Sequence, residues 1–188
     1  MLHDQVKLLL LSIARKNIIA AINGNNLRDI LKDERLPEVV YEKGAVFVTL
    51  TQEGLLRGCV GSLEAYQPLV DDVLDNSFNA AFRDSRFAKV AKDEMKNIKI
   101  EISLLSNRQE IDYYTFSDLK KKIKPKVHGV YLTYAGHSAT FLPQVWDELV
   151  SHETFFVHLA QKAGLAPDFI FHKHPKIEVY TVEKFKEG

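Results

Sequence analysis

The residues best equipped for chemistry lie in one short run, Leu56-Arg57-Gly58-Cys59-Val60-Gly61-Ser62. In a β-strand alternate side chains share a face, so this spacing sets the Arg57 guanidinium beside the Cys59 thiol. A neighbouring cation favours the thiolate, which is the nucleophilic form of cysteine. Gly58 and Gly61 leave the backbone bare, which admits a ligand or a second chain to close range. Cys59 is the only cysteine in the sequence. It reads either as a nucleophile or acid/base group, or as the small buried hydrophobe that free cysteines commonly are.

A second run, Gly136-His137-Ser138-Ala139-Thr140-Phe141-Leu142-Pro143-Gln144-Val145-Trp146-Asp147, leads from a strand into a proline-started helix. His137 here, or His128 upstream, is the candidate proton carrier for Cys59. Pro143, Gln144 and Trp146 are candidates to line a binding surface. A third run, Asn79 to Phe87, carries Arg83, Asp84 and Arg86; local ion pairing explains it, and its arginines are also suited to an anion, Arg86 being a candidate binding residue. No Gly-x-Ser-x-Gly elbow supports a serine triad. His152-Glu153 with His158 fails the zincin spacing, since six residues turn the helix by about 240°. His172 and His174 flank Lys173 before Pro175 and are expected in a solvated loop. No metal and no cofactor are expected.

The elements that must position these groups follow from periodicity. Val6, Leu9, Leu10, Ile13, Asn17 and Ala20 recur at helical spacing over residues 3–22. A short helix is expected at Leu27–Leu31. Ala45–Gln52 and Leu55–Ser62, joined by Glu53-Gly54, read as a hairpin. Pro68 opens a helix with Asp71 and Asp72 in its first turn and Val70, Val73, Leu74, Ser77, Phe78 and Ala81 as its inner stripe. Ile98–Leu104 alternates as a half-buried strand. A helical turn is expected at Phe116–Lys122 and a second hairpin at Val127–Tyr134 with Ser138–Leu142. Pro143 starts a helix through Leu149, Ser151 caps another that stops at Gly164, and Lys176–Phe185 closes the chain as one strand. Irregular alternation with two hairpins and no repeat gives an α+β fold, with a mostly antiparallel sheet flanked by helices.

Composition narrows the class further. Lysine plus arginine and aspartate plus glutamate both total 25, so the formal charge is zero, and 46% of residues are hydrophobic. That apolar content supports a folded core and excludes a disordered chain. A balanced charge argues against bulk coating of nucleic acid, which needs excess cations. The basic run Lys120-Lys121-Lys122 with Lys124 and Lys126 lacks interleaved aromatics and reads as solvated, so nucleic acid is not an expected partner. Leu8–Ala14 is too short to span a bilayer, and no cleavage site follows it. With a single thiol the chain is expected in the cytoplasm, without a membrane partner.

The sequence resembles the AMMECR-type domain family, known in prokaryotes as protein A of the AmmeMemoRadiSam system. The resemblance rests on Val46–Leu50, Leu56–Glu64, Ala80–Phe87, Ile100–Ser106, Ala139–Trp146 and Gln161–Leu165, in family order over nearly the whole chain. It implies a single AMMECR-type domain over residues 1–188, folded as a larger and a smaller lobe, with a surface near the Arg-Gly-Cys segment. It implies no particular reaction. Prokaryotic members occur beside Memo-like and radical-SAM proteins, which makes those the expected partners. Two functions follow: a binding module working with such partners, or an enzyme that uses Cys59 on a small molecule or peptide.

Overall fold

The computed structural model describes residues 2–31 and 34–188, the side chain of Ile30 excepted. It divides into two compact units, a larger one running to Leu105 and taking in Glu183–Gly188, and a smaller one spanning Ser106–Val182.

The larger unit is built on the long hairpin of β1 (Lys43–Gln52) and β2 (Leu55–Gly61). Glu53 and Gly54 both take positive φ (53° and 81°) in its two-residue turn, the backbone that matches the twist of the flanking strands. With β4 (Ile98–Leu105) and β9 (Val182–Lys186) these strands form a sheet in the order β2-β1-β4-β9, and the two-residue β3 (Gln67–Pro68) also pairs with β1. β2 is therefore an edge strand. Alternation on β1 sends Val46, Val48 and Leu50 into the core, where they meet Ile100 and Ile102 of β4. Two helices, α1 (Asp4–Ile22) and α3 (Leu69–Phe82), cover that face through Leu10, Ile13, Ile18, Val73 and Leu74. The short α2 (Leu27–Leu31) follows α1.

Polar groups knit the helices to the sheet. Asp72 is fully buried and accepts from the Val46 N–H at 2.8 Å, Ser62 Oγ at 2.6 Å and Gln67 Nε2 at 3.0 Å. Asn17, on the inner stripe of α1, donates to Leu74 O at 2.7 Å and to Ser77 Oγ at 3.0 Å. Each buried polar atom thereby keeps a partner, which its desolvation requires.

The smaller unit carries a second antiparallel sheet, in the order β5 (Gln109–Glu110), β8 (Lys176–Tyr180), β6 (Gly129–Tyr134), β7 (His137–Phe141). Its helices are α4 (Phe116–Lys122), capped by Thr115, α5 (His152–Lys162), capped by Ser151, and α6 (Phe169–His172). Trp146, Phe155, Phe156, Leu119 and Leu132 form its core.

Three expectations change. The strand expected over Lys176–Phe185 is two strands: the chain leaves the second sheet at Tyr180 and enters the first at Val182. The helix expected from Pro143 through Leu149 is a five-residue 3₁₀ segment, Pro143–Asp147, a tighter winding used in short pieces. His172 ends α6 and is not in a loop, whereas His174 does lie exposed in the loop expected of it, where its ring stacks on Tyr113, with centroids 4.0 Å apart, and Nε2 bonds the Tyr113 carbonyl.

Candidate functional site

Cys59 pairs with Thr49 across the hairpin, on the face of the sheet opposite Val46, Val48 and Leu50. Its thiol is half-buried and lies 3.2 Å from Thr49 Oγ1. On the outer side of this edge strand the Cys59 N–H donates to Asp84 Oδ2 at 2.9 Å, and the Cys59 carbonyl accepts from Arg86 Nη2 at 3.1 Å. Two side chains from the segment after α3 thus take the hydrogen bonds that another strand would make. Asp84 and Arg86 are themselves joined, Nη2 to Oδ2 at 2.7 Å and Nε to Oδ1 at 2.9 Å. The Arg86 hydrogen bond, with help from the Cys59 and Arg86 backbone N–H groups, holds the Asp84 carboxyl well below the usual carboxylate range.

Arg57 takes a different place from the one alternation assigns. The β1–β2 register passes from Leu50–Gly58 to Thr51–Leu56, so Arg57 is the extra residue of a bulge. Its guanidinium grips Glu94 with two bonds, Nε to Oε1 at 2.8 Å and Nη2 to Oε2 at 3.0 Å, and donates from Nη1 to Ala88 O at 2.9 Å. That pairing lowers the Glu94 pKa and commits the Arg57 charge to a carboxylate. The guanidinium that bonds the Cys59 backbone belongs to Arg86.

The two glycines are explained by packing. A Cβ on Gly58 would stand 2.2 Å from the carbonyl oxygen of Ala80 in α3. A Cβ on Gly61 would collide with the Phe47 ring at 2.3 Å. The bare backbone therefore admits α3 and an aromatic ring of the same unit.

The remaining candidates lie in the smaller unit. His137 is exposed at the start of β7, its Nδ1 2.9 Å from Ala163 O. Pro143 is buried and Gln144 exposed. Trp146, proposed as a surface residue, is 1% exposed: its ring stacks on Phe155 with centroids 3.7 Å apart, and Nε1 donates to His128 O at 2.9 Å. Burial, then Lys124, pushes the His128 pKa down. The basic run is largely neutralised locally, Lys120 by Glu153 at 2.6 Å, Lys122 by Asp118 at 3.2 Å and Lys126 by Asp147 at 3.0 Å. Among the described residues no group of three or more His, Cys, Asp or Glu side chains could hold a metal ion, and no helix is long and apolar enough to cross a membrane.

Sequence reasoning missed the roles of Asp84 and Glu94. Asp84 stood in a charged run that local pairing explained, and Glu94 carries no periodic signal linking it to Arg57 across 37 residues.

Fold and site together define an α+β protein of two units, with a side-chain-clamped edge strand in the larger. The chain belongs to the AMMECR1 family, whose model matches residues 11–185. A protein of Methanosarcina mazei is 36% identical over 177 residues, covering 93% of this chain and 88% of the relative. One from Saccharolobus solfataricus is 35% identical, covering 99% and 83%. Among solved structures, uncharacterized protein PH0010 from Pyrococcus horikoshii is similar with a TM-score of 0.78 and 31% identity, over 95% of this chain and 90% of that one.

Proposed function

We propose that the protein is a binding module, and that the surface around β2 of the larger unit docks a partner protein. One observation carries this reading: both edge-directed groups of Cys59 are held by the Asp84–Arg86 pair, with large apolar side chains exposed at either end of the strand. Leu55 is 74%, Leu56 43% and Leu63 42% exposed, and the Arg86 side chain is 55% exposed. An arginine among exposed leucines has the composition of an interface centre more than of a solvated surface. Among the described residues the thiol's side-chain hydrogen-bond partner is Thr49, a hydroxyl with no base behind it. The cation that faces Cys59, Arg86, is itself paired with Asp84, and a nucleophile needs a base or a strongly activating neighbour, so the geometry favours binding over catalysis.

The family resemblance makes a Memo-like protein the first partner to try. The test is isothermal titration of the purified chain with the Memo-like protein encoded in the same genome. The reading expects a stoichiometric complex, with Leu63→Asp and Arg86→Ala each weakening it by about tenfold or more, the loss typical of a residue near an interface centre. No complex, or a complex indifferent to both substitutions, overturns it. Cys59→Ser is expected to bind as the native chain does.

A further inference from the structure

Helix α3 carries a polar row that the β2 surface does not use. Asp72, Asn76 and Asn79 follow one another at spacings of four and three, which stacks them along one face of the helix, and Arg83, the residue that caps its C-terminus, follows four residues on. The inner end of the row is fully engaged: Asp72 in the network described above, and Asn76, which donates to Val46 O and Ser62 Oγ. The outer end opens into a cleft of about 420 Å³, lined by Asn76, Asn79 and Arg83 together with Arg28, Asp75 and Tyr66.

The cleft holds two guanidinium groups of different standing. Arg28 is spent, since it pairs with Asp71 and, at 2.6 Å, with Asp75. Arg83 has no carboxylate partner among the described residues and rests against the Phe78 ring, its guanidinium carbon 5.2 Å from the centroid. The Asn79 amide, one turn back, has no side-chain hydrogen bond among the described residues. Tyr66 presents an aromatic face at the rim, 63% exposed.

We propose that this cleft binds a small aromatic carboxylate, its charge met by Arg83, its second oxygen reached by the Asn79 amide, and its ring against Tyr66. A guanidinium fork fits a carboxylate in two parallel bonds, and a concave site with a few convergent polar groups is the usual form of a small-molecule site. Among the described residues Arg83 offers one unpaired positive charge, while Asp71 and Asp75 share the single charge of Arg28, a balance that suits a monoanion at Arg83 and works against a phosphate dianion. This inference does not depend on partner docking at β2, and it uses none of the residues tested there.

The experiment is ¹⁵N-resolved NMR of the full chain, following side-chain amides while benzoate, its neutral analogue benzamide or the dianion phenyl phosphate is added. Benzoate is expected to shift the Asn79 amide saturably, with a Kd on the order of 1 mM, as suits so small a ligand. Benzamide is expected to leave it in place. Arg83→Gln is expected to weaken benzoate by about tenfold or more, the loss of a charge-assisted bond, while the rest of its spectrum overlays on that of the native chain. Arg83→Lys, which keeps the charge and loses the fork, should fall between the two. The proposal fails if benzoate gives no saturable shift, if benzamide binds as well, if Arg83→Gln binds unchanged, or if phenyl phosphate binds more tightly than benzoate.

Discussion

The Asp84 carboxylate accepts the backbone N–H of Cys59 at 2.9 Å, across 25 residues of sequence, and in doing so occupies a hydrogen-bonding position on the free edge of a sheet. Arg86 completes the arrangement by donating to the Cys59 carbonyl. Exposed edges invite unwanted strand pairing, and charged side chains are a common means of blunting them. The same pair places an exposed guanidinium over the one thiol-bearing residue of the chain, so the protected edge is also its most distinctive surface.

That relationship makes stability depend on pH in a definite direction. The folded pKa of Asp84 is depressed by Arg86, so its contribution is fully present above the unfolded value near 3.9 and is lost as pH falls toward the folded value. Asp84→Asn is expected to be less stable than the native chain in urea unfolding at pH 7, and the gap should narrow at pH 3. A gap of constant size across that window would show that the charge contributes nothing.

Gly58 sits where a helix backbone approaches a strand. Gly58→Ala would force Ala80 O away from a Cβ placed 2.2 Å from it, and neither backbone can yield as a flexible side chain would. The expected cost is about 1–3 kcal/mol, typical of overpacking, read as a lower urea midpoint at unchanged slope. A midpoint equal to that of the native chain would mean that α3 shifts freely on the sheet.

Cys59 is half-buried against Thr49. Iodoacetamide is expected to alkylate it to completion in the native protein, at a rate below that of the urea-unfolded chain, because access to the sulfur is restricted without being closed. Reaction only on unfolding would move the thiol into the core. A native rate above the unfolded one would reveal an activated thiolate and favour the enzyme reading.

Trp146, the sole tryptophan, is an internal probe of the smaller unit. Trp146→Ala is expected to cost about 3–5 kcal/mol through the cavity it opens beneath Phe155. Trp146→Phe keeps an aromatic ring there and gives up the bond to His128 O, for a smaller loss of about 1 kcal/mol. Equal losses from both would show that the hydrogen bond, and not the ring, anchors the segment.

Local order was written plainly in the sequence. The helical stripe of α1, the two-residue turn at Glu53-Gly54, the serine cap of α5 and the alternation of β4 all follow from side-chain period and turn chemistry, which act over a few residues. The α+β class followed from their order. What the tertiary structure decided is which distant groups meet. Alternation placed Arg57 beside Cys59, and a one-residue bulge handed it to Glu94 instead. The exposed-looking Trp146 is buried because a short 3₁₀ turn sets its ring on Phe155. The final apolar stretch reads as one strand, and only the partners available at each end divide it between two sheets at Thr181. Residue period determines which way a side chain points from its own strand or helix; what it then touches depends on contacts 20 to 90 residues away, which no local pattern encodes.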